Sequence, residues 1–91
     1  MSKTLNQLFP RRQSLYNCSA VDSLINKYLE AGGDAIQTDE GGCGCGDWIL
    51  YGDGLKTAII KEVYLNCWSS AHTIRFYNET PAKYAAIIAA Q

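Results

Sequence analysis

Apolar side chains recur at intervals of three and four residues between positions 19 and 31, the spacing of one buried face of a helix. That face comprises Val21, Leu24, Ile25, Tyr28 and Leu29. Ser19 and Asp22 resemble a capping box at a helix start, and Gly32-Gly33 supplies the left-handed residue that commonly ends a helix. The pattern predicts a helix over residues 19–31.

Beyond residue 33 the apolar positions alternate or become β-branched, which indicates strands. The candidate strands are residues 34–38, 47–52, 56–69 and 72–78. Both alternating sets of side chains in the third run are largely apolar, as expected of a central strand that is covered on both faces. Gly52-Asp53-Gly54 predicts a tight hairpin turn, and Ser69–Ala71 predicts a second turn.

Thr80 and Pro81 predict a C-terminal helix over about residues 80–90, with Thr80 as its cap and Pro81 in its first position. The apolar stripe of this helix is Tyr84, Ile87 and Ile88. The order of elements predicts an α+β fold, a small antiparallel sheet of three to four strands in a meander with both helices packed on one face. The other face would be open to water or to a partner. Residues 1–16 would form a short helix or a loosely packed arm of one domain that spans residues 1–91.

The amino-acid composition limits the classes of protein to which the chain can belong. The chain has 91 residues, of which 47% are hydrophobic, and this suits one globular domain rather than a disordered segment. Its net charge of -1 and pI of about 5.7 provide no general attraction for nucleic acid or acidic lipid. The charge is uneven, because residues 34–53 carry five acids and no base. Since no run is apolar enough for a membrane helix or a secretion signal, we expect a cytoplasmic protein with reduced thiols.

The stretch DEGGCGCGDW, residues 39–48, places two thiols in a glycine-rich acidic loop. One interpretation is a zinc-stabilised module with three cysteines and one histidine as ligands: Cys43, Cys45, Cys67 and His72. Structural zinc sites usually have Cys-x(2–4)-Cys pairs, whereas the pairs here are C-x-C and C-x4-H. The other interpretation is that these are reduced loop or core thiols and that the protein has no cofactor.

The sequence lacks the recognised catalytic motifs. His72 is the only histidine, and it could activate Cys67 as a nucleophile if the two side chains met. GGCGCG lacks the Lys-[Ser/Thr] of a phosphate-binding loop, and the chain has no Gly-x-Ser-x-Gly elbow. We therefore expect a protein without catalytic activity.

Nucleic-acid binding is a further alternative. The C-terminal segment PAKYAAIIAA and the helix-sheet-helix order resemble the double-stranded RNA-binding domain. The resemblance covers Lys83 and the alanines that follow it, and it implies that the start of the last helix would contact phosphates. The acidic pI argues against phosphate binding.

The leading hypothesis is a small protein that acts by binding another protein, such as an accessory or inhibitor protein of a bacterium or phage. It depends on the acidic loop and on more aromatic side chains than one small core would bury. The candidate partner-binding residues are Asp39, Glu40, Asp47, Trp48, Tyr51, Tyr64, Trp68 and Tyr77. A homodimer through the open sheet face or an edge strand is a further possibility.

Overall fold

The computed structural model describes residues 19–41, 45–66 and 69–91. The elements, in order, are helix α1 (Ser19–Glu30), strands β1 (Asp34–Asp39), β2 (Asp47–Tyr51), β3 (Thr57–Asn66) and β4 (Ser69–Tyr77), and helix α2 (Ala82–Ala89). The four strands form one antiparallel sheet in the order β1-β2-β3-β4. The predicted α+β fold class and meander are confirmed. The predicted short helix or arm at residues 1–16 lies outside the described residues.

Helix α1 forms because its apolar stripe packs on the sheet. Four of the five predicted residues are fully buried and Leu24 is half-buried against the same core. The helix ends at Glu30 and is followed by Gly32, whose φ of +86° is left-handed. Gly32 N donates to Leu29 O at 3.1 Å and Gly33 N donates to Tyr28 O at 2.8 Å, which is the hydrogen-bond pattern of a Schellman motif. The predicted helix and its glycine stop are therefore confirmed.

The strand register decides which side chains face α1. Two rows of side chains across the sheet lie on this face: Ala35, Leu50, Ala58 and Phe76 form one row, and Gln37, Trp48, Ile60 and Ile74 form the next. The members of these rows on β2 and β3 are buried in the core, whereas Phe76 on β4 is exposed. The row between them points to the opposite face, where Ile49 is 1% exposed and Ile59 is 4% exposed. The centres of β2 and β3 are therefore buried on both faces, as the apolar pattern of the third strand predicted. The expectation that the second face is open to water or to a partner is wrong at Ile49 and Ile59.

One predicted turn is confirmed and the other is wrong. Gly52-Asp53-Gly54 joins β2 to β3, and Leu55 N donates to Gly52 O at 3.1 Å. Ser69–Ala71, however, belongs to β4, where Ala71 pairs with Val63. The long, strongly β-prone β3 provides a pairing partner for these small residues, and this tertiary contact overrides their weak preference for a turn.

Helix α2 begins at Ala82, and the predicted capping role of Thr80 is wrong. The start of the helix has no side-chain capping hydrogen bond. The Thr80 hydroxyl instead hydrogen-bonds that of the buried Thr57 at 2.6 Å, which ties the chain before α2 to β3. Neither of the two described helices is long and apolar enough to cross a membrane.

Candidate functional site

The acidic loop comprises residues 39–47, from the last residue of β1 to the first residue of β2, and its residues 39–41 and 45–47 are described. Its two arms have different environments. The outgoing arm, residues 39–41, is exposed, whereas the return arm, Cys45 and Gly46, is buried. The outgoing arm thus presents two carboxylates to solvent, while the return arm enters the core.

The return arm is fixed by hydrogen bonds from three different strands. The Cys45 carbonyl accepts one bond from Trp48 Nε1 at 2.8 Å and another from Gln37 Nε2 at 3.0 Å. Gly46 N donates to Glu62 Oε1 at 2.9 Å. Because Trp48 is 1% exposed and the Glu62 side chain is 3% exposed, these bonds are shielded from water and hold the base of the loop in one position.

The two arms are in direct contact at the base of the loop. Gly46 has a φ of +84°, and a Cβ placed there would overlap the backbone of Asp39 and Glu40. On the outgoing arm, Gly41 N donates to Asp39 Oδ1 at 2.7 Å. The fixed return arm therefore also positions the exposed carboxylates.

Asp47 has a different environment from the other two acids of the loop. Its Oδ1 accepts Glu62 N at 2.7 Å, and its Oδ2 lies 3.5 Å from Lys61 Nζ. The β2–β3 pairing ends at Trp48 and Ile60, so the Asp47 carboxylate extends the link between these strands by one position. Asp47 is thus a structural acid, and its carboxylate is already engaged.

A thiol, an imidazole and a carboxylate meet beneath the loop. Cys45 Sγ lies 3.5 Å from His72 Nε2, and the same nitrogen lies 3.9 Å from Glu62 Oε1. The His72 side chain is 4% exposed, and its Nδ1 has no hydrogen-bond partner among the described residues. Sulfur and nitrogen ligands of one tetrahedral zinc ion are also about 3.5 Å apart. However, no group of three His, Cys, Asp or Glu residues in the described part of the chain is arranged to hold a metal ion.

The structure brings together only part of the zinc ligand set predicted from sequence. Cys45 and His72 meet, whereas Cys43 and Cys67 lie outside the described residues. The pairing of His72 with Cys67 as a catalytic base and nucleophile also lies outside them. Among the described residues the histidine contacts Cys45, because the register places it opposite Glu62 beneath the loop.

The predicted partner-binding residues differ in their exposure to solvent. Asp39 and Glu40 are exposed, and Tyr51 and Tyr77 are half-buried. Trp48 was predicted to contact a partner, and this is wrong, because its ring lies in the core. Burial, with the nearby Asp34 carboxylate, raises the pKa of Tyr51 above its ordinary value of 10.0. The Tyr64 side chain and Trp68 lie outside the described residues.

Two residues that hold the base of the acidic loop, Gln37 and Glu62, are not among the candidates predicted from the sequence. Both are polar residues on the α1 side of the sheet, in strands with apolar neighbours. A polar residue in a buried row must find a hydrogen-bond partner, and that requirement is the signal that could have identified them. Their partners lie in the acidic loop, eight and sixteen residues away in sequence.

No protein family, curated protein or solved structure matches the chain.

Proposed function

We propose that this chain is a non-enzymatic, cytoplasmic protein-binding module whose acidic loop captures a basic surface of another protein. One observation carries the proposal: the outgoing arm of the loop exposes Asp39 and Glu40, while the return arm is hydrogen-bonded to the core. A positioned binding loop loses less conformational freedom when it binds, so more of the interaction energy remains as affinity. Opposite charge across the interface accelerates encounter and selects the partner.

The charge distribution supports a basic partner. The net charge of the whole chain is only -1, but five of its nine acids lie in residues 34–53, a segment that contains no lysine or arginine. The acidic loop itself contains no lysine or arginine. This local negative charge attracts cationic surfaces and repels phosphate, so it favours a basic protein over a nucleic acid.

The test is a charge reversal with a matched control. The double variant Asp39→Lys/Glu40→Lys changes the exposed arm, and Asp53→Lys/Glu79→Lys makes the same change in net charge at two exposed acids outside the loop. Each chain is immobilised and exposed to extract from its source cells, and captured proteins are quantified by mass spectrometry. We expect a captured protein that the loop variant loses and the control variant retains. Equal capture by both variants would contradict the proposal.

The second candidate function is a zinc-stabilised module, and the contact between Cys45 Sγ and His72 Nε2 at 3.5 Å favours it. In this proposal Cys43 and Cys67 complete the ligand set. Elemental analysis of protein purified without chelator is the test. About one zinc per chain, lost in Cys45→Ser and retained in Cys18→Ser, would support the site. A ratio well below one in the unaltered chain would remove it.

A further inference from the structure

Strand β1 is an edge strand next to the acidic loop. It pairs with β2 on one side, and no described strand pairs with its other side. An antiparallel edge strand directs the N–H and C=O groups of every second residue outward, where they can pair with another chain. Natural edges are commonly blocked by lysine or proline, and the β1 sequence DAIQTD contains neither.

An open groove lies beside this edge. It has a volume of about 410 Å³, runs along residues 35–40 and is also lined by Gln91. Asp34 and Asp39 lie at the two ends of β1, and Glu40 follows directly. No lysine or arginine occurs between residues 31 and 55. The groove therefore offers backbone hydrogen bonds along its length and negative charge at the end formed by Asp39 and Glu40.

The other edge of the sheet has a different character. Strand β4 carries Arg75 and no acid, and it exposes the large apolar side chain of Phe76. A cationic peptide would gain no attraction there. Charge thus distinguishes β1 from β4 as the edge that a basic segment would select.

We propose that an extended, lysine- or arginine-rich segment of the partner protein adds to β1 as a fifth strand. Backbone pairing with β1 holds the segment, and its cationic side chains lie against Asp39 and Glu40. This inference rests on the proposed function, because it names the part of a basic partner that the acidic loop receives. Strand addition explains why an acidic edge is left without the usual blocking residues.

The probe is a fluorescent eight-residue peptide of alternating lysine and valine, whose binding is measured by fluorescence anisotropy. Two N-methylated versions carry the methyl groups on alternate residues, one version for each edge of the peptide. An extended peptide presents only one edge to β1, so we expect one version to lose at least about tenfold in affinity and the other to bind within about threefold of the parent. Equal affinity of both versions would overturn strand addition.

Further comparisons separate this inference from the proposed function. Hydrogen exchange should show new protection of alternate β1 amides in the complex and none in β4, and protection of β4 instead would overturn the assignment. Replacing lysine by glutamate in the probe should abolish binding, and retained binding would contradict the role of charge. If both N-methylated versions bind but Asp39→Lys/Glu40→Lys does not, strand addition fails while the acidic loop remains a binding site. A dimer of the chain that already protects the β1 amides would assign this edge to a second copy instead.

Discussion

Replacing Asp47 by alanine should destabilise the protein, because it removes a carboxylate that accepts a hydrogen bond from the backbone. The Asp47 carboxylate accepts Glu62 N at 2.7 Å, and this part-buried amide would lose its partner. A hydrogen bond to a charged acceptor contributes about 2 kcal/mol to the free energy of unfolding. The ion pair to Lys61 adds less than about 0.5 kcal/mol, because the Lys61 side chain is 51% exposed and its charge is screened by water.

Urea denaturation followed by circular dichroism measures this effect. We expect Asp47→Ala to lower the free energy of unfolding by about 2 kcal/mol, which corresponds to a fall in Tm of about 10 °C for a chain of this length. Asp47→Asn keeps an oxygen acceptor and should lose about 1 kcal/mol. Lys61→Ala removes only the ion pair and should have almost no effect. If Lys61→Ala and Asp47→Ala lose the same stability, the assignment of Asp47 to backbone hydrogen bonding is refuted.

Three further predictions concern other contacts. Gly46→Ala should lower the free energy of unfolding by several kcal/mol more than Gly32→Ala does. Both glycines have φ near +85°, but only at Gly46 does backbone occupy the position of the new Cβ. Equal losses in urea denaturation would contradict the close contact of the loop arms. Burial raises the pKa of Tyr28 above its ordinary value of 10.0. The contribution of this tyrosine to stability is therefore complete below pH 10 and is lost as the pH rises through the pKa of the folded state. Tyr28→Phe should flatten the fall in Tm above pH 10, and an unchanged slope would exclude Tyr28 as the source of that fall. Thr80→Ala should cost about 1 kcal/mol by leaving the buried Thr57 hydroxyl without its partner, with unchanged helical circular dichroism, whereas lost helicity would restore Thr80 as a cap.

Local patterns predicted the fold because they agree with the tertiary contacts. The apolar stripe of α1 and its glycine stop are both encoded within fifteen residues, and each has its expected place in the structure. The alternation in β3 likewise predicted a central strand. The start of β4 was not predictable, because the extra pairing of Ser69–Ala71 depends on the length of β3 rather than on those residues.

The candidate site was less predictable, because its contacts join residues that are distant in sequence. Composition gives no indication that Trp48 belongs to the core, since the strand register decides which alternate set faces α1. The contact between Cys45 and His72 spans 27 residues, and Glu62 reaches Gly46 across 16. The exposure of Asp39 and Glu40 was predictable because acids in a glycine-rich turn are rarely buried.

The most direct test of the central claim compares the affinity of the captured partner for the two charge-reversed chains. Titration calorimetry at low and high salt should show that Asp39→Lys/Glu40→Lys weakens binding at least about tenfold, that Asp53→Lys/Glu79→Lys leaves it within about threefold, and that salt weakens binding to the unaltered chain. Binding that is unchanged in the loop variant, or that does not depend on salt, would contradict an acidic loop as the recognition element.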